Sequence, residues 1–223
     1  IEGQSNHAGT TPMHMRHDAG FAAAQIAAFF RELALEVGGD QVGTVGKIDL
    51  HPNLVNVVAS KAVMTVDLRN TDEELLQNSE SRLNEFCLSL SESEHVEITS
   101  KPLARFEPVS FAQELIDGVI KVSKSLGLSV QQMTSGAGHD AQMFARICPT
   151  SMIFVPSKDG LSHNPAEYTS QEQIMDGAKG KWAIIHPGIF FLLANLINSY
   201  VSLVDNVCLL YTSPSPRDAT LSP

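Results

Sequence analysis

The sequence predicts an α/β protein built of two parts, and three observations lead to that prediction. Two runs with strand-like patterns, Val42–Leu50 and Ala62–Asn70, follow one another and are linked by the segment HPNLVNV, an order that favours a hairpin. Amphipathic helical patterns flank these runs, as in α+β domains. A continuous apolar run at Cys148–Pro156 lies between helical patterns instead, which is typical of a strand buried in an α/β sheet.

The composition fits a folded protein and excludes some classes of function. The chain has 223 residues, of which 43% are hydrophobic, so it is long enough to bury a core. Its formal net charge of −10 argues against nucleic-acid binding, because phosphate recognition needs a basic face. Three cysteines without a pairing pattern, and the lack of a signal-peptide pattern, lead us to expect a cytoplasmic protein.

The first part, 1–107, is expected to combine the hairpin with two helices. A helix is predicted over Asp18–Glu36, because apolar side chains recur there at helical spacing and two glycines follow. A second helix is predicted to begin with a capping box at Thr71–Glu74. Its apolar face consists of Leu75, Leu76, Leu83, Phe86 and Leu90. A further strand is expected over His95–Leu103.

The second part, 108–179, alternates helical patterns with the apolar strand. A capping box at Ser110–Gln113 predicts a helix that ends near Gly127. A similar box at Ser170–Gln173 predicts a helix after the apolar run. The order of helix, buried strand and helix indicates a portion of an α/β sheet domain.

The last segment, 180–223, does not continue these patterns. The apolar stretch Ala183–Val204 is long enough to span a membrane, but His186 and Pro187 within it weaken that interpretation. The stretch Cys208–Asp218 resembles the translation of a sequencing adapter. We therefore expect no membrane span, and we expect 180–223 to be a non-native tail that does not pack against the rest.

Two polar clusters in the first part are candidates for chemistry. His7 lies in a glycine-containing loop, from which an imidazole can donate a hydrogen bond to a developing oxyanion, although a surface histidine in a turn has the same pattern. Asn56 and Arg69 are polar residues on or beside apolar strands. Arginine suits bidentate recognition of a carboxylate, but Arg69 could equally pair with Asp67 or Asp72.

Two more clusters lie in the second part. The loop that contains Gly136, Ala137 and Gly138 precedes a helical pattern and exposes backbone amides, which is typical of an anion site or of a plain tight turn. No lysine follows the glycines, so the pattern of a Walker phosphate loop is not met. His163 follows the apolar strand and could bind a metal ion, although a single histidine is more often structural.

Taken together, the clusters resemble a known family. The motifs SNHAGTTPM, PNLVNVV with VDLRNTD, SGAGHDAQMFA and GLSHNPAEYT follow one another as in N-carbamoyl-L-amino-acid hydrolases and allantoate amidohydrolases. These are binuclear metal-dependent amidohydrolases related to zinc aminopeptidases. The resemblance implies that 1–107 is an α+β lid (dimerisation) domain with an antiparallel sheet and two helices. It implies that 108–179 is the C-terminal part of an α/β zinc-peptidase-like metal domain.

The resemblance also implies roles for the candidate residues. His7 would reach into the partner subunit's site and polarise the scissile carbonyl, and Asn56 and Arg69 would bind the substrate carboxylate, also across the dimer. Backbone groups of three loop residues would contact the substrate: Gly136, Ala137 and Gly138. His163 would ligate one of two divalent ions, zinc or manganese.

The family's other metal ligands, and the glutamate that activates the water, would lie upstream of the matching region. We therefore expect a C-terminal fragment that is inactive alone, from a homodimeric parent that hydrolyses N-carbamoyl amino acids, allantoate or ureidoglycolate. The alternative is a non-catalytic dimerisation or ligand-binding module.

Overall fold

The computed structural model describes residues 1–179 and the backbone of 208–211. The chain divides into two compact units between Pro108 and Val109. Helices and a small antiparallel sheet make up the first unit, and this mixed architecture confirms the predicted fold class. The assignment of the units as lid and metal domains stays a prediction.

An antiparallel hairpin forms the centre of the first unit. Strand β1 (Val42–His51) pairs with strand β2 (Lys61–Arg69) along its whole length, from Val42 opposite Arg69 to His51 opposite Lys61. A bulge interrupts the register between Val45 and Lys47. The hairpin was predicted to within one residue at each strand end.

Helix α1 (Ala19–Val37) packs on this hairpin through a face rich in alanine. Asp18 caps the helix, because its carboxylate accepts hydrogen bonds from the next backbone amides, and Gly38 ends it at a φ of 64°. The buried face consists of Ala19, Ala22, Ala23, Ile26, Phe30 and Leu33. Small side chains allow close approach, and a Cβ on Gly43 would lie 2.9 Å from the ring of Phe30.

Helix α2 (Glu73–Ser93) begins one residue later than predicted, because the predicted capping box would have made Thr71 the N-cap. Asp72 is the N-cap, and the Thr71 hydroxyl instead donates to the Asp40 carboxylate at 2.7 Å. Leu76 and Leu90 are buried as predicted, whereas Leu75 is 46% exposed and does not belong to the apolar face.

The N-terminal segment lies beside β2. Glu2 forms antiparallel bridges with both Lys61 and Glu97, so residues around it lie between β2 and the chain that follows α2. The predicted strand His95–Leu103 is wrong in extent, because Glu97 makes the one bridge that the structure describes there. Pro102 has no amide hydrogen with which to continue such a ladder.

The second unit begins with helix α3 (Gln113–Ser125). Its N-cap is Ala112, without a side-chain cap, so the predicted capping box at Ser110 is wrong. Helix α4 (Asp140–Phe144) and strand β3 (Thr150–Ile153) follow. A helix over 171–179 starts with the capping box that was predicted at Ser170, because Ser170 and Gln173 exchange side-chain and backbone hydrogen bonds.

The segment after residue 179 lies mostly outside the described residues, including the apolar stretch 183–204. Strand β4 (Cys208–Tyr211) is described and pairs in parallel with β3. This pairing differs from our expectation that nothing in 180–223 packs against the rest. Among the described residues, no helix is long and apolar enough to cross a bilayer.

A buried glutamine ties the open end of the hairpin to α2. Gln41 is 6% exposed, and its amide nitrogen donates to the carbonyls of Val42 and Arg69 at 3.1 and 2.9 Å. Its amide oxygen accepts from Asn70 at 2.9 Å and from the Ser79 hydroxyl at 3.2 Å. One buried side chain therefore has its own amide donors and acceptor satisfied and links the paired ends of both hairpin strands to α2.

We expect Gln41→Ala to lower the free energy of unfolding by about 1–3 kcal/mol, because it removes four hydrogen bonds that a buried side chain makes with the two strand ends and α2. Urea unfolding followed by circular dichroism measures this change. Gln77→Ala is the matched control, since Gln77 is exposed on α2 and should change stability by less than about 0.5 kcal/mol. Equal losses in the two variants would contradict the role of Gln41.

Candidate functional site

The N-terminal segment brings His7 and Asn56 together. His7 forms an antiparallel bridge with Val57. On either side of this bridge, the Ala8 amide donates to the Asn56 carbonyl at 2.9 Å and the Val58 amide donates to the Asn6 carbonyl at 2.8 Å. Backbone pairing thus places two of the candidate residues side by side at one end of the first unit.

The His7 ring is oriented by a neighbouring backbone amide. The Gly9 N–H donates to His7 Nδ1 at 3.0 Å. An amide can only donate, so Nδ1 accepts, and the neutral ring carries its hydrogen on Nε2. His7 is exposed, and this Nε2–H is available to an acceptor outside the unit. Glycine suits this position because a Cβ on residue 9 would lie 3.3 Å from the His7 ring.

The turn that follows His7 is held by several side chains. The hydroxyl and the amide of Thr11 both donate to the His7 carbonyl, at 2.8 and 3.1 Å. The Arg16 guanidinium donates to the carbonyls of Ala8 and Thr11, at 2.6 and 3.1 Å. Sequence reasoning missed Arg16, because an arginine between two histidines carries no signal that it will fold back on a turn.

Arg69 lies at the other end of the hairpin. Strand β2 has nine residues. At a rise of about 3.3 Å per residue, Arg69 is therefore about 26 Å from Lys61, the β2 residue nearest in sequence to Asn56. Its guanidinium makes a bidentate contact with Asp67, at 2.9 and 2.6 Å, and this hydrogen bonding holds the pKa of Asp67 below its ordinary value. Within one chain, the structure does not bring Arg69 to His7.

The glycine-containing loop of the second unit leads into α4. Ser135 Oγ lies 2.8 Å from His139 Nε2 and accepts from the Ala137 amide at 3.3 Å. Gly136, Ala137 and Gly138 are exposed, and a Cβ on Gly136 would meet open space. The loop is therefore shaped by Ser135 and His139 and is exposed.

His139 is the N-cap of α4 and is partly buried. Its amide donates to Gln142 Oε1 at 3.2 Å, and its ring lies against Phe154 with centroids 5.7 Å apart. Burial lowers the pKa of His139, and the nearby charge of Asp140 opposes this shift. His139 is therefore neutral near pH 7.

His163 occupies an exposed turn in the left-handed region, with a φ of 54°. Its amide donates to Glu167 Oε2 at 2.9 Å. The described residues contain no group of three or more His, Cys, Asp or Glu side chains that could hold a metal ion. The described residues therefore complete no metal centre by themselves, and His163 would need ligands from elsewhere to hold either of the two ions that the resemblance implies.

Comparison with known proteins decides the family. The model of peptidase family M20/M25/M40 matches residues 2–181. The chain belongs to this family. Membership confirms the resemblance that the motifs indicated.

The chain is similar to two curated relatives and to one crystal structure from this family. The allantoate amidohydrolase of Escherichia coli K12 is 39% identical over 179 residues, which are 80% of this chain and 44% of the relative. The ureidoglycolate hydrolase of rice is 35% identical over 181 residues, 80% of this chain and 37% of the relative. A hydantoinase/carbamoylase family amidase from Burkholderia vietnamiensis superposes with a TM-score of 0.79 at 31% identity, covering 83% of this chain and 45% of the amidase. The chain thus spans less than half the length of these M20 hydrolases.

We expect acid to destabilise the chain partly through His139. Because the folded state keeps the pKa of His139 below its ordinary 6.5, the unfolded chain binds the proton first as pH falls. The free energy of unfolding should therefore decrease below about pH 6.5, and this loss should be smaller in His139→Gln. Urea unfolding at about pH 7.5 and about pH 5.5 measures the difference.

The control for this experiment is His14→Gln, because His14 is exposed. His14→Gln should keep the acid sensitivity of the unsubstituted chain. The assignment to His139 is wrong if His139→Gln loses as much stability on acidification as His14→Gln does.

Proposed function

We propose that this chain is the C-terminal part of an amidohydrolase that cleaves the ureido or amide C–N bond of small carboxylates. The observation that carries the proposal is the exposed His7 Nε2–H, whose tautomer is set by the Gly9 amide. N-carbamoyl amino acids, allantoate and ureidoglycolate are the candidate substrates. The names of the relatives support this choice, since they include allantoate amidohydrolase, ureidoglycolate hydrolase and carbamoylase-family amidase.

In this proposal, His7 stabilises charge on the carbonyl that is attacked. When a nucleophile adds to a ureido carbonyl, its oxygen becomes negative, and a fixed N–H donor lowers the energy of that state. The neutral ring already has its hydrogen on Nε2, so no proton transfer is needed to prepare it. The exposure of His7 supports action on a substrate held outside its own unit.

We propose that Arg69 and Asn56 bind the carboxylate of the substrate. The resemblance implies that both residues act across the dimer, as His7 does. However, the substrates are far shorter than the nine residues of β2, so they cannot touch both ends of one hairpin. We therefore propose that each active site receives His7 and Asn56 from one subunit and Arg69 from the other.

A twofold dimer makes this division possible. In a symmetric dimer, any surface that one subunit offers to its partner is offered back in return. Two sites would then form, each from the His7 end of one lid and the Arg69 end of the other. We propose that Gly136, Ala137 and Gly138 present backbone groups to the substrate, a role that their exposure supports.

Amidohydrolases of this family generally use divalent metal ions. We propose that His163 is one ligand of zinc or manganese in the full-length protein and that the remaining ligands come from outside this chain.

The division of the site is tested by mixing two inactive variants of the full-length protein. His7→Ala should lower kcat by about a hundred-fold or more, because it removes an oxyanion donor. Arg69→Ala should abolish carboxylate binding. After subunit exchange, a heterodimer of the two has one site with both residues intact, so an equal mixture should recover about a quarter of the unsubstituted activity.

Hydrolysis of an N-carbamoyl amino acid, allantoate and ureidoglycolate is measured on the exchanged mixture and on heterodimers isolated through different affinity tags, which should recover about half of the unsubstituted activity because one of their two sites is intact. If His7 and Arg69 came from the same subunit, both sites of the heterodimer would be damaged. Absence of recovery would therefore contradict the shared site. Absence of hydrolysis by the unsubstituted full-length protein on all three substrates would contradict the proposed function and favour a non-catalytic module.

The chain alone should bind zinc weakly and hydrolyse none of these substrates. A protein zinc site needs three or four ligands, and His163 provides one. Calorimetric titration with zinc measures the affinity, and His163→Ala is the comparison. Tight one-to-one binding that is lost in His163→Ala would contradict this prediction.

A further inference from the structure

We propose that Arg16 is a positioning residue for His7. It holds the turn after His7 in the shape that directs the Gly9 amide at the ring. This inference deepens the proposed function, on which the importance of His7 rests. The contacts that carry it lie within the first unit, and they can be examined without measuring turnover.

The first observation is where the Arg16 guanidinium points. Its Nη2 donates to the Ala8 carbonyl at 2.6 Å and its Nε donates to the Thr11 carbonyl at 3.1 Å. Arg16 is half-buried, and in the described part of the chain its charge meets these carbonyls and no acidic side chain. Because the guanidinium donates to two backbone carbonyls of one turn, it stabilises the conformation of that turn.

The second observation is that this turn is closed around His7. The Thr11 amide and hydroxyl both donate to the His7 carbonyl, and the Gly9 amide donates to the His7 ring. Arg16 therefore contacts residues on both sides of Gly9. Release of the two carbonyls would let the peptide between Ala8 and Gly9 rotate, and the Gly9 N–H would lose its direction towards Nδ1.

The third observation concerns the kind of side chain. Arginine presents Nε–H and Nη2–H in one rigid plane, so a single residue can hold two carbonyls at a fixed separation. Lysine keeps the charge but offers one flexible ammonium group. Arg16→Lys is therefore the informative substitution, because it retains the charge and removes the geometry.

The test follows the tautomer of His7 by nitrogen NMR in the whole chain near pH 7.5, together with hydrogen exchange at individual amides. The unsubstituted chain should show His7 protonated on Nε2, with a protected Gly9 amide. Arg16→Lys should give a mixture of tautomers and Gly9 exchange faster by about ten-fold or more. Arg31→Lys is the control, because Arg31 is exposed on α1.

The Glu97 amide, which donates to the Glu2 carbonyl at 2.8 Å, reports on the rest of the unit. Its exchange should stay unchanged in Arg16→Lys. If Glu97 exchange rises as much as that of Gly9, Arg16 stabilises the unit as a whole and the proposal is overturned. An unchanged His7 tautomer with a protected Gly9 amide in Arg16→Lys would also overturn it.

Kinetics of the full-length protein separate this inference from the proposed function. Arg16→Lys should lower kcat by about ten- to a hundred-fold with little change in KM, because a misplaced donor stabilises the transition state less and hardly affects substrate binding. The double variant with His7→Ala should be little worse than His7→Ala alone. If His7→Ala keeps full activity while Arg16→Lys still scrambles the His7 tautomer, the proposed function fails and the positioning role stands.

Discussion

The antiparallel pairing of the N-terminal segment with the chain leading into β2 is the interaction on which the first unit depends. The Gly3 amide donates to the Ser60 carbonyl at 2.7 Å, and the Ala62 amide donates to the Ile1 carbonyl at 2.9 Å. The same pairing, continued to His7 and Val57, sets the place of the exposed imidazole. The same segment also passes close to His17, whose carbonyl accepts from the Gln4 amide at 2.8 Å. A Cβ on Gly3 would lie 2.2 Å from that carbonyl oxygen, so residue 3 must be glycine.

The two ends of the hairpin serve different purposes in the proposed site, and each has its own polar support. At one end, the turn after His7 is held by Thr11 and Arg16. At the other end, the buried Gln41 holds the backbone of Arg69. These supports leave the candidate side chains exposed while they fix the backbone that carries them, which is the arrangement that binding by loops on a rigid scaffold requires.

Much of the fold could be predicted from the sequence, because local signals and tertiary packing agree there. Helix α1 has its cap at Asp18, an apolar face and two glycines at its end, and the hairpin has alternating side chains. The sequence-based predictions are wrong where a side chain forms a hydrogen bond with a residue distant in sequence. Thr71 matches a capping box in sequence, yet its hydroxyl is used by Asp40, so the cap moves to Asp72. The position of Arg16 depends in the same way on a folded turn that no local pattern specifies.

The ion pair between Arg69 and Asp67 bears on how a substrate could reach the arginine. The guanidinium fork already holds a carboxylate from two residues away, at 2.9 and 2.6 Å. An incoming carboxylate at Arg69 would therefore exchange with an intramolecular competitor of the same chemistry. Both partners are exposed, so separating them costs little, since exposed pairs contribute about 0–1 kcal/mol. Asp67 would thus keep the arginine oriented between turnovers and would exclude anions that bind it more weakly than this tethered carboxylate.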